Sequence, residues 1–290
     1  MIILRLKGGL GNQLFEYALV RHLSIIQNTE FKFDLHHYDA GWGSYNLGVF
    51  NIKESFARDS EIEIYKKFKR KIGRRAFLYN LIFSDKSKYV EEREPFIFDK
   101  SIFEVNNCYL DGWWQNEKYF IDIRDILLKE LTIKEPPKGR NLDISIKVTE
   151  TNSVSIHIRR MDFVTNARTK HLYGELTNDY YNRAIDYLSS KVENIKLFIF
   201  SDDIEWVKQN MNFKFEKTFI ESNNSEDLAY EDLRLMSLCK HHVIANSTFS
   251  WWGAWLGTGK DKIVVGPKRW LSSSDRYDTS DLMPKEWIRL

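Results

Sequence analysis

Residues 153–163 of this 290-residue sequence read SVSIHIRRMDF, in which small and apolar residues are followed at once by charged ones. The part that ends at Ile158 has the composition of a buried strand in a parallel sheet. Ligands of open parallel sheets bind beyond the carboxyl ends of the strands. The guanidinium groups of Arg159 and Arg160 and the carboxylate of Asp162 are therefore predicted to lie at a ligand-binding edge.

Guanidinium groups at that edge favour an anionic ligand, because an arginine fork pairs bidentately with phosphate or carboxylate. Side chains alternate in direction along a strand, so only one of Arg159 and Arg160 need face the ligand. The structural alternative is that both arginines form salt bridges to neighbouring helices.

A second polar segment, ANSTFSWWGAWL at 245–256, joins a predicted strand to a predicted helix. Asn246, Ser247 and Thr248 stand where an ordinary N-cap would lie. The same position offers backbone N–H groups and the positive end of a helix dipole to a phosphate, and both interpretations stay open. Three tryptophans have the spacing of a buried helix face and are predicted to be core: Trp251, Trp252 and Trp255.

A glycine loop, KGGLGNQ at 7–13, follows the first apolar run. It is neither a dinucleotide-binding fingerprint, because Leu14 replaces the last glycine, nor a P-loop, because it lacks the GK[ST] ending. Gly9 and Gly11 would allow a ligand to approach the backbone closely, and Asn12 can donate and accept hydrogen bonds. A tight turn without a ligand is the alternative.

The segment SDD at 201–203 also follows a predicted strand. We interpret Asp203 as the N-cap of the next helix, whereas Asp202 could face the ligand-binding edge. No His or further carboxylate stands at ligand spacing, so the sequence predicts no metal site.

Strands alternate regularly with helices beyond the segment EPPKG at 135–139, which predicts parallel βαβ units. The pattern indicates an α/β protein of two lobes, 1–135 and 136–290, with a crevice between them. In the first lobe we expect irregular structure over 30–62, a helix over 62–83, strands at 94–103 and 108–114, and a helix over 116–131.

The net charge of +2 and the pI near 8.3 do not favour a nucleic-acid partner. Two cysteines, no secretory leader and no apolar run of about 20 residues predict a soluble cytoplasmic protein. The basic run at 66–75 is interpreted as a solvated helix face; a peripheral contact with the inner face of the membrane is the alternative.

Three motifs together, GGLGNQLFEYA, HIRRMD and NSTFSWWGAWL, resemble those of the bacterial α-1,2-fucosyltransferases of glycosyltransferase family 11. Their order and spacing match over essentially the whole chain. The HxRRxD element is shared more widely with α-1,6- and protein O-fucosyltransferases, and the other two motifs narrow the resemblance. One departure is Met161, where the family often has glycine.

The resemblance implies a GT-B fold of two Rossmann-like lobes, with the nucleotide held mainly by the C-terminal lobe and the acceptor mostly by the N-terminal one. It implies GDP-β-L-fucose as donor and inverting transfer to the 2-hydroxyl of a galactose-terminated glycan, without a metal ion or other cofactor.

The resemblance also implies roles for individual residues. Arg159 would bind the β-phosphate, Asn12 would lie near the fucose or the phosphate, and Asp202 is carried over with them. It further implies donor binding by His157 and Asp232 at the guanine and by Ser247 and Thr248 at the diphosphate. Gly9 and Gly11 of the glycine loop and Asn246 of the strand–helix turn complete the predicted donor site. An aspartate suits guanine because its two oxygens match the N1–H and N2–H₂ donors.

The proton of the acceptor hydroxyl needs a recipient. Asp162 is the leading candidate, although it could instead orient an arginine through an ion pair, and Glu175 is a further candidate.

Two other functions compete with the fucosyltransferase. Nine Trp and fourteen Tyr would suit a non-catalytic carbohydrate-binding protein, and a GT-B transferase could use another nucleotide sugar. Neither the natural acceptor nor the oligomeric state can be predicted from the sequence.

Overall fold

The computed structural model describes residues 1–69, 71, 80, 82, 85–160, 166–221, 223, 226–272 and 277–290. The chain divides into two compact units, Met1–Thr132 and Ile133–Leu290. The boundary predicted between residues 135 and 136 lies just beyond this division.

The N-terminal unit is built on a four-stranded parallel sheet with the strand order β2-β1-β4-β3. Its strands are β1 (Ile2–Arg5), β2 (Phe31–Asp34), β3 (Tyr89–Glu91) and β4 (Tyr109–Asp111). The α-helices of this unit whose bounds lie within the described residues are α1 (Leu10–Ile26), α2 (Asp59–Lys66) and α3 (Arg124–Glu130). The chain passes from β1 to β2 on one side, and β4 pairs with the other side of β1. The carboxyl ends of β1 and β4 therefore form a topological switch point, where α/β sheets bind ligands.

The C-terminal unit is built on a six-stranded parallel sheet with the order β10-β9-β8-β5-β6-β7. Its strands are β5 (Asn152–Ile158), β6 (Ile195–Ser201), β7 (Lys217–Phe219), β8 (His241–Val243), β9 (Val264–Gly266) and β10 (Ile288–Arg289). Its helices are α4 (Gly139–Glu150), α5 (Ala167–Tyr173), α6 (Asn178–Ser189), α7 (Ile204–Asn210), α8 (Ala229–Leu238) and α9 (Thr248–Leu256). The chain runs from β5 outward to β7 and then returns to place β8 on the other side of β5. This second switch point lies between β5 and β8.

The central strands β5 and β6 are buried along almost their whole length because helices cover both faces of the sheet. The helix α6 turns one apolar face toward the sheet, with these buried residues: Tyr180, Tyr181, Ala184, Ile185 and Leu188. The helices α8 and α9 pack closely at Gly253, where a Cβ atom would lie 2.9 Å from the Cβ of Met236. Together these contacts fix the carboxyl ends of β5 and β8.

The tryptophans of α9 form a buried block, which confirms their prediction as core. Trp251 and Trp252 are fully buried and Trp255 nearly so. The ring of Trp251 stacks on that of Trp255 with centroids 6.1 Å apart and meets the edge of Trp252 at 5.2 Å. The indole N–H of Trp251 donates to the Leu282 carbonyl at 3.0 Å. The block anchors α9 beneath the β5/β8 switch point.

Several expected elements differ from those found. The strand predicted at 94–103 is wrong, because Asp99 caps a 3₁₀ turn at Lys100–Glu104 by accepting from the Ser101 N–H. The helix predicted at 116–131 is α-helical only over α3, since two 3₁₀ turns precede it. The region 30–62, expected to be irregular, contains β2 and the start of α2. The segment between β5 and α6, expected to be a polar loop, contains the helix α5, and the sequence analysis predicts neither α4 nor β10.

The predicted α/β class with two parallel sheets is confirmed. Of the helix expected over 62–83, α2 ends at Lys66, and residues 70, 72–79, 81, 83 and 84 lie outside the described part of the chain. Among the residues that the structure describes, no helix combines the length and the apolar character needed to cross a bilayer. The cytoplasmic location and the membrane contact through 66–75 remain predictions.

Candidate active site

Arg159 follows β5 directly and lies at the carboxyl edge of the C-terminal sheet. Its Nη1 is 3.2 Å from Oδ2 of Asp202, which follows β6, and its side chain keeps 34% of its exposure. The carboxylate of Asp202 also accepts the backbone N–H of Arg160 at 2.8 Å. Asp202 therefore fixes both the backbone after β5 and the direction of the Arg159 guanidinium, which remains accessible to a ligand.

Arg160 has the opposite environment, although it is the next residue. Its side chain is buried, its Nε lies 3.4 Å from Oδ2 of Asp203, and its Nη1 pairs with the Glu175 carboxylate. The guanidinium also covers the ring of Trp206, 3.3 Å from the centroid. These contacts make Arg160 a structural residue, so Arg159 is the guanidinium that can meet an anion.

The two aspartates after β6 have separate tasks. Asp203 caps α7 as predicted, because its Oδ1 accepts from the Trp206 N–H at 3.4 Å. The pairing of Glu175 with Arg160 occupies the Glu175 carboxylate, which weakens the candidacy of Glu175 as a proton acceptor.

Within the described ranges, no group of three or more His, Cys, Asp or Glu residues could hold a metal ion.

The N-terminus of α9 lies at the same edge, beside the end of β8. Ser247 is the N-cap residue in extended conformation, and within the described part of the chain its hydroxyl makes no capping bond. Thr248 begins the helix and is half-buried. The positive end of the α9 dipole is thus placed beside the carboxyl end of β5.

Asn246 has a structural use that differs from its predicted role in donor binding. The residue is buried, and its Nδ2 donates to the carbonyls of Tyr173 at 2.9 Å and of Trp270 at 3.2 Å. It therefore ties the end of α5 and the loop after β9 to the strand–helix turn.

His157 is buried in β5, with its ring 5.6 Å from that of Phe249. Burial and then the charge of Arg159 lower the pKa of His157 to about 3. The imidazole is consequently neutral at physiological pH. Its Nδ1 has no hydrogen-bond partner among the described residues, so it is a polar atom for which a ligand could provide a partner.

Asp232 belongs to a separate polar network on α8. Its Oδ1 accepts from Nδ2 of Asn223 at 2.8 Å, and Asn223 exchanges two amide hydrogen bonds with Asn141. Burial raises the pKa of Asp232 to about 7, against the hydrogen bond from Asn223 and with a further contribution from Glu231. Such a half-buried carboxylate is able to gain hydrogen-bond donors from a ligand.

In the N-terminal unit, the glycine loop joins β1 to α1 at the first switch point. Gly8 has φ of +67°, and a Cβ atom there would lie 2.6 Å from Nδ2 of Asn12 and 3.0 Å from the Trp113 ring. Gly9, by contrast, is the extended N-cap of α1 with open space around it, and Gly11 is buried inside the helix. The strongest conformational requirement therefore falls on Gly8, which the sequence analysis did not select.

Asn12 and Lys7 connect this loop to the one that follows β4. Oδ1 of Asn12 accepts from Nε2 of Gln115 at 3.0 Å. Nζ of Lys7 lies 2.9 Å from Oδ1 of Asp111 and 4.7 Å from the ring centroid of Trp113. Burial alone would raise the pKa of the Asp111 carboxyl group, but the charge of Lys7 holds that pKa well below its ordinary value.

Two carboxylates that the sequence analysis missed hold these loops in place: that of the buried Glu16 and that of the half-buried Glu92. Glu16 accepts the backbone N–H of Lys7 at 3.0 Å. Glu92 accepts the N–H groups of Trp113 at 2.7 Å and of Trp114 at 2.9 Å. Burial raises the pKa of both carboxyl groups. Nothing in the sequence distinguishes them from surface glutamates.

Asp162, the predicted base, lies in the segment 161–165, outside the described residues. Its role therefore stays a prediction. The structure brings Arg159 and Asp202 together at the β5 end, with Ser247 and Thr248 at the neighbouring β8 end. It places Asp232 in its own network and Asn12 in the N-terminal unit.

Comparison with known proteins shows the family of the chain. The sequence profile described as "Glycosyl transferase family 11" matches residues 1–290. The chain belongs to glycosyltransferase family 11. It is 35% identical to the alpha-1,2-colitosyltransferase of Escherichia coli, over 100% of this chain and 99% of that protein. It is 33% identical to the O-antigen biosynthesis glycosyltransferase WbnK of Escherichia coli, over 98% and 99%.

A more distant relative and a solved structure extend the comparison. The human galactoside alpha-(1,2)-fucosyltransferase 1 is 22% identical over 59% of this chain and 46% of its own length. The NodZ alpha-1,6-fucosyltransferase soaked with GDP-fucose matches 88% of this chain and 92% of its own, with a TM-score of 0.50 and 11% identity. That likeness shows the fold, and the predicted GT-B class is confirmed. The crevice predicted between the lobes remains a prediction.

Proposed function

We propose that this family 11 glycosyltransferase transfers L-fucose from GDP-β-L-fucose to the 2-hydroxyl of a terminal galactose, with inversion at the sugar. The relatives support the linkage and the acceptor, since their names specify alpha-1,2 transfer and galactosides. The observation that carries the proposal is the accessible guanidinium of Arg159, fixed by Asp202 at the β5/β8 switch point.

Transfer breaks the bond between the sugar and the β-phosphate, so negative charge grows on a phosphate oxygen. Fixed cations and dipoles aimed at that oxygen stabilise the transition state. Arg159 supplies the cation, and the N-terminus of α9 at Ser247 and Thr248 supplies oriented N–H groups. Their common position at one sheet edge is the reason for assigning them to the diphosphate.

The guanine would lie where Asp232 and His157 offer complementary groups. The carboxylate of Asp232 accepts from the N1–H and N2–H₂ donors of guanine, a pattern that uracil does not present. The neutral imidazole of His157 contributes its Nδ1 atom, which has no hydrogen-bond partner among the residues that the structure describes. This assignment favours GDP over UDP.

A second donor is favoured by one observation, the 35% identity to a colitosyltransferase over the whole chain. Colitose differs from L-fucose in lacking the 3-hydroxyl. A site that hydrogen-bonds a sugar hydroxyl rejects the analogue that lacks it by as much as about 10⁴-fold. A direct comparison of the two donors therefore decides between them.

The test is an incubation of the purified protein with GDP-fucose or GDP-colitose and a panel of galactosides, followed by linkage analysis of the product. We expect fucose on the 2-hydroxyl of galactose. Calorimetric titration with GDP and UDP is done in parallel, and heat with GDP alone is expected. Selective use of GDP-colitose would replace the fucose assignment. Absence of GDP binding, or binding of UDP instead, would overturn the nucleotide assignment.

We further propose that the transfer needs no metal ion, because Arg159 and the α9 dipole neutralise the leaving group. The initial rate in EDTA is expected to equal the rate in buffer, within about twofold, since no step depends on a Lewis acid. The rate is measured by release of GDP from donor and acceptor. Loss of activity that Mg²⁺ or Mn²⁺ restores would contradict the proposal.

The carboxyl group of Asp232 leads to a prediction about pH. Its pKa is raised from 3.8 to about 7 in the folded protein, so the folded state holds this proton more tightly than the unfolded chain does. Its contribution to the free energy of unfolding is therefore greatest below about pH 4 and falls as the pH rises through about 7. Asp232→Asn is expected to raise the melting temperature of the ligand-free protein at about pH 8, because no charge is then buried.

The same substitution should have the opposite effect on nucleotide binding. GDP affinity of the unmodified protein is expected to rise about tenfold between about pH 6 and about pH 8, as the carboxylate forms. Asp232→Asn should bind GDP weakly at both pH values. Calorimetry and thermal melts measure the two effects, with the exposed Asp227→Asn as control. Unchanged GDP affinity in Asp232→Asn would exclude Asp232 from the guanine site.

A further inference from the structure

The loop after β2 presents an indole to solvent. Trp42 is 70% exposed, the largest exposure among the bulky apolar residues that the structure describes. It stands between Gly41 at φ of +74° and Gly43 at φ of +94°, backbone conformations that favour glycine. The sequence GWG therefore lifts Trp42 away from the body of the N-terminal unit, where its indole contributes little to stability.

A buried amide fixes this loop at the carboxyl edge of the sheet. Gln13 is fully buried, and its Nε2 donates to the carbonyls of Gly8 at 2.9 Å and Ser44 at 2.8 Å. Its Oε1 accepts the N–H of Asn46 at 2.9 Å. The loop that carries Trp42 is thus tied to the glycine loop after β1 rather than only to its own strand.

The indole of Trp42 is continuous with other aromatic groups at this edge. Its ring meets that of His37 at 6.1 Å between centroids. The ring of His37 meets that of Tyr38 at 5.4 Å between centroids, and the Tyr38 hydroxyl donates to the Gly8 carbonyl at 3.1 Å, where Gly8 lies against the Trp113 ring. Lys7 in turn lies over the half-buried ring of Trp113. We call His37, Trp42 and Trp113 the aromatic edge.

The chemistry of the aromatic edge suits a neutral polyhydroxylated ligand. The ammonium of Lys7 is engaged in an ion-pair network, because it lies 2.9 Å from the Asp111 carboxylate that Arg5 and Lys69 also contact at 3.2 and 3.4 Å. The amide groups of Asn12 and Gln115 lie beside Trp113 on the same two loops. Indole faces beside amide donors and acceptors match the apolar face and the hydroxyl rim of a pyranose.

We infer that the aromatic edge is the acceptor-binding subsite of the transferase, with the indole of Trp42 stacked on the acceptor sugar. The inference rests on the proposed function and deepens it, because it names the residues that select the acceptor. The GWG tip presents the stacking surface, Gln13 holds it at the switch point, and Trp113 with Lys7 forms the inner end.

The test compares Trp42→Ala with Trp42→Phe and with Ile64→Ala, a matched control that removes an exposed apolar side chain of the same unit. Trp42→Ala is expected to raise the KM for the galactoside about tenfold, which corresponds to about 1.4 kcal/mol, with kcat changed less. Trp42→Phe should recover part of the loss, since a ring remains. Ile64→Ala should leave both constants unchanged.

Two readouts separate this inference from the proposed function. GDP binding and hydrolysis of the donor without acceptor report the donor site and should be the same in all three variants. Saturation-transfer NMR with a galactoside reports acceptor binding without turnover and should lose signal in Trp42→Ala alone. Unchanged KM and unchanged NMR signal in Trp42→Ala would overturn the inference. Absence of transfer by a protein that still binds galactosides through Trp42 would overturn only the proposed function.

Discussion

Replacement of Arg159 by alanine is expected to reduce kcat about 10³-fold, the upper range for loss of one group that stabilises a developing oxyanion. The guanidinium of Arg159 is the cation that the structure leaves accessible at the β5/β8 switch point, while its neighbour is enclosed by carboxylates. Because the side chain is partly exposed, the melting temperature should change little. Initial rates at saturating donor and acceptor, together with thermal melts, measure both effects.

Arg183→Ala is the matched control for that experiment. Arg183 is an exposed arginine of the same unit that pairs with Asp179 at 2.8 Å, and its removal should leave kcat unchanged. Arg159→Lys should recover only part of the activity, because an ammonium cannot form the bidentate contact. Turnover by Arg159→Ala within about threefold of the unmodified protein would exclude the diphosphate role, since so small a change lies far below the expected loss.

Replacement of Arg160 by methionine is expected to reduce the free energy of unfolding by about 3 kcal/mol, as loss of one partner from a buried ion pair does. The change leaves the carboxylates of Asp203 and Glu175 without their cation and removes the stacking on Trp206. Both carboxylates keep partial exposure, which holds the loss near the lower end of the usual range. Urea unfolding followed by circular dichroism measures the effect.

Arg160→Lys distinguishes charge from geometry at this position. Lysine restores a cation but neither the planar fork nor the stacked guanidinium, so most of the stability should remain lost. Arg159→Ala, one residue away, should lie within about 0.5 kcal/mol of the unmodified protein. Equal stabilities of Arg160→Met and Arg159→Ala would show that the two arginines do not differ as the structure indicates.

The alternation of strands and helices in the C-terminal unit was predictable because two of its interior strands, β5 and β6, are long and apolar. The seven-residue apolar runs at β5 and β6 alternate with amphipathic helices. This pattern can be recognised in the sequence whichever way the strands pair in the sheet. The N-terminal unit was harder because its strands have three or four residues. Four residues such as FKFD carry too little pattern to distinguish a strand from a loop.

The polar side chains after β5 were also predictable, but which of the two arginines is accessible and which is enclosed was not. Sequence places Arg159 and Arg160 at the same edge, and only the positions of Asp203, Glu175 and Trp206 show which one is enclosed. The tryptophans give the same lesson. Trp42 and Trp251 have one chemistry, yet one is exposed on a glycine-flanked tip and the other is enclosed.

The tryptophan block of α9 has a consequence for the energetics of the proposed turnover. Its rings pack against one another inside the core, where close packing resists rearrangement. The peptide dipoles at the start of α9 are therefore oriented when the chain folds, and in the proposed reaction they need not turn as charge moves onto the phosphate. The reorganisation energy of the groups around the phosphate therefore stays low in that reaction. Substitutions that enlarge this block, or that leave a cavity in it, are expected to slow the chemical step although they do not touch the phosphate.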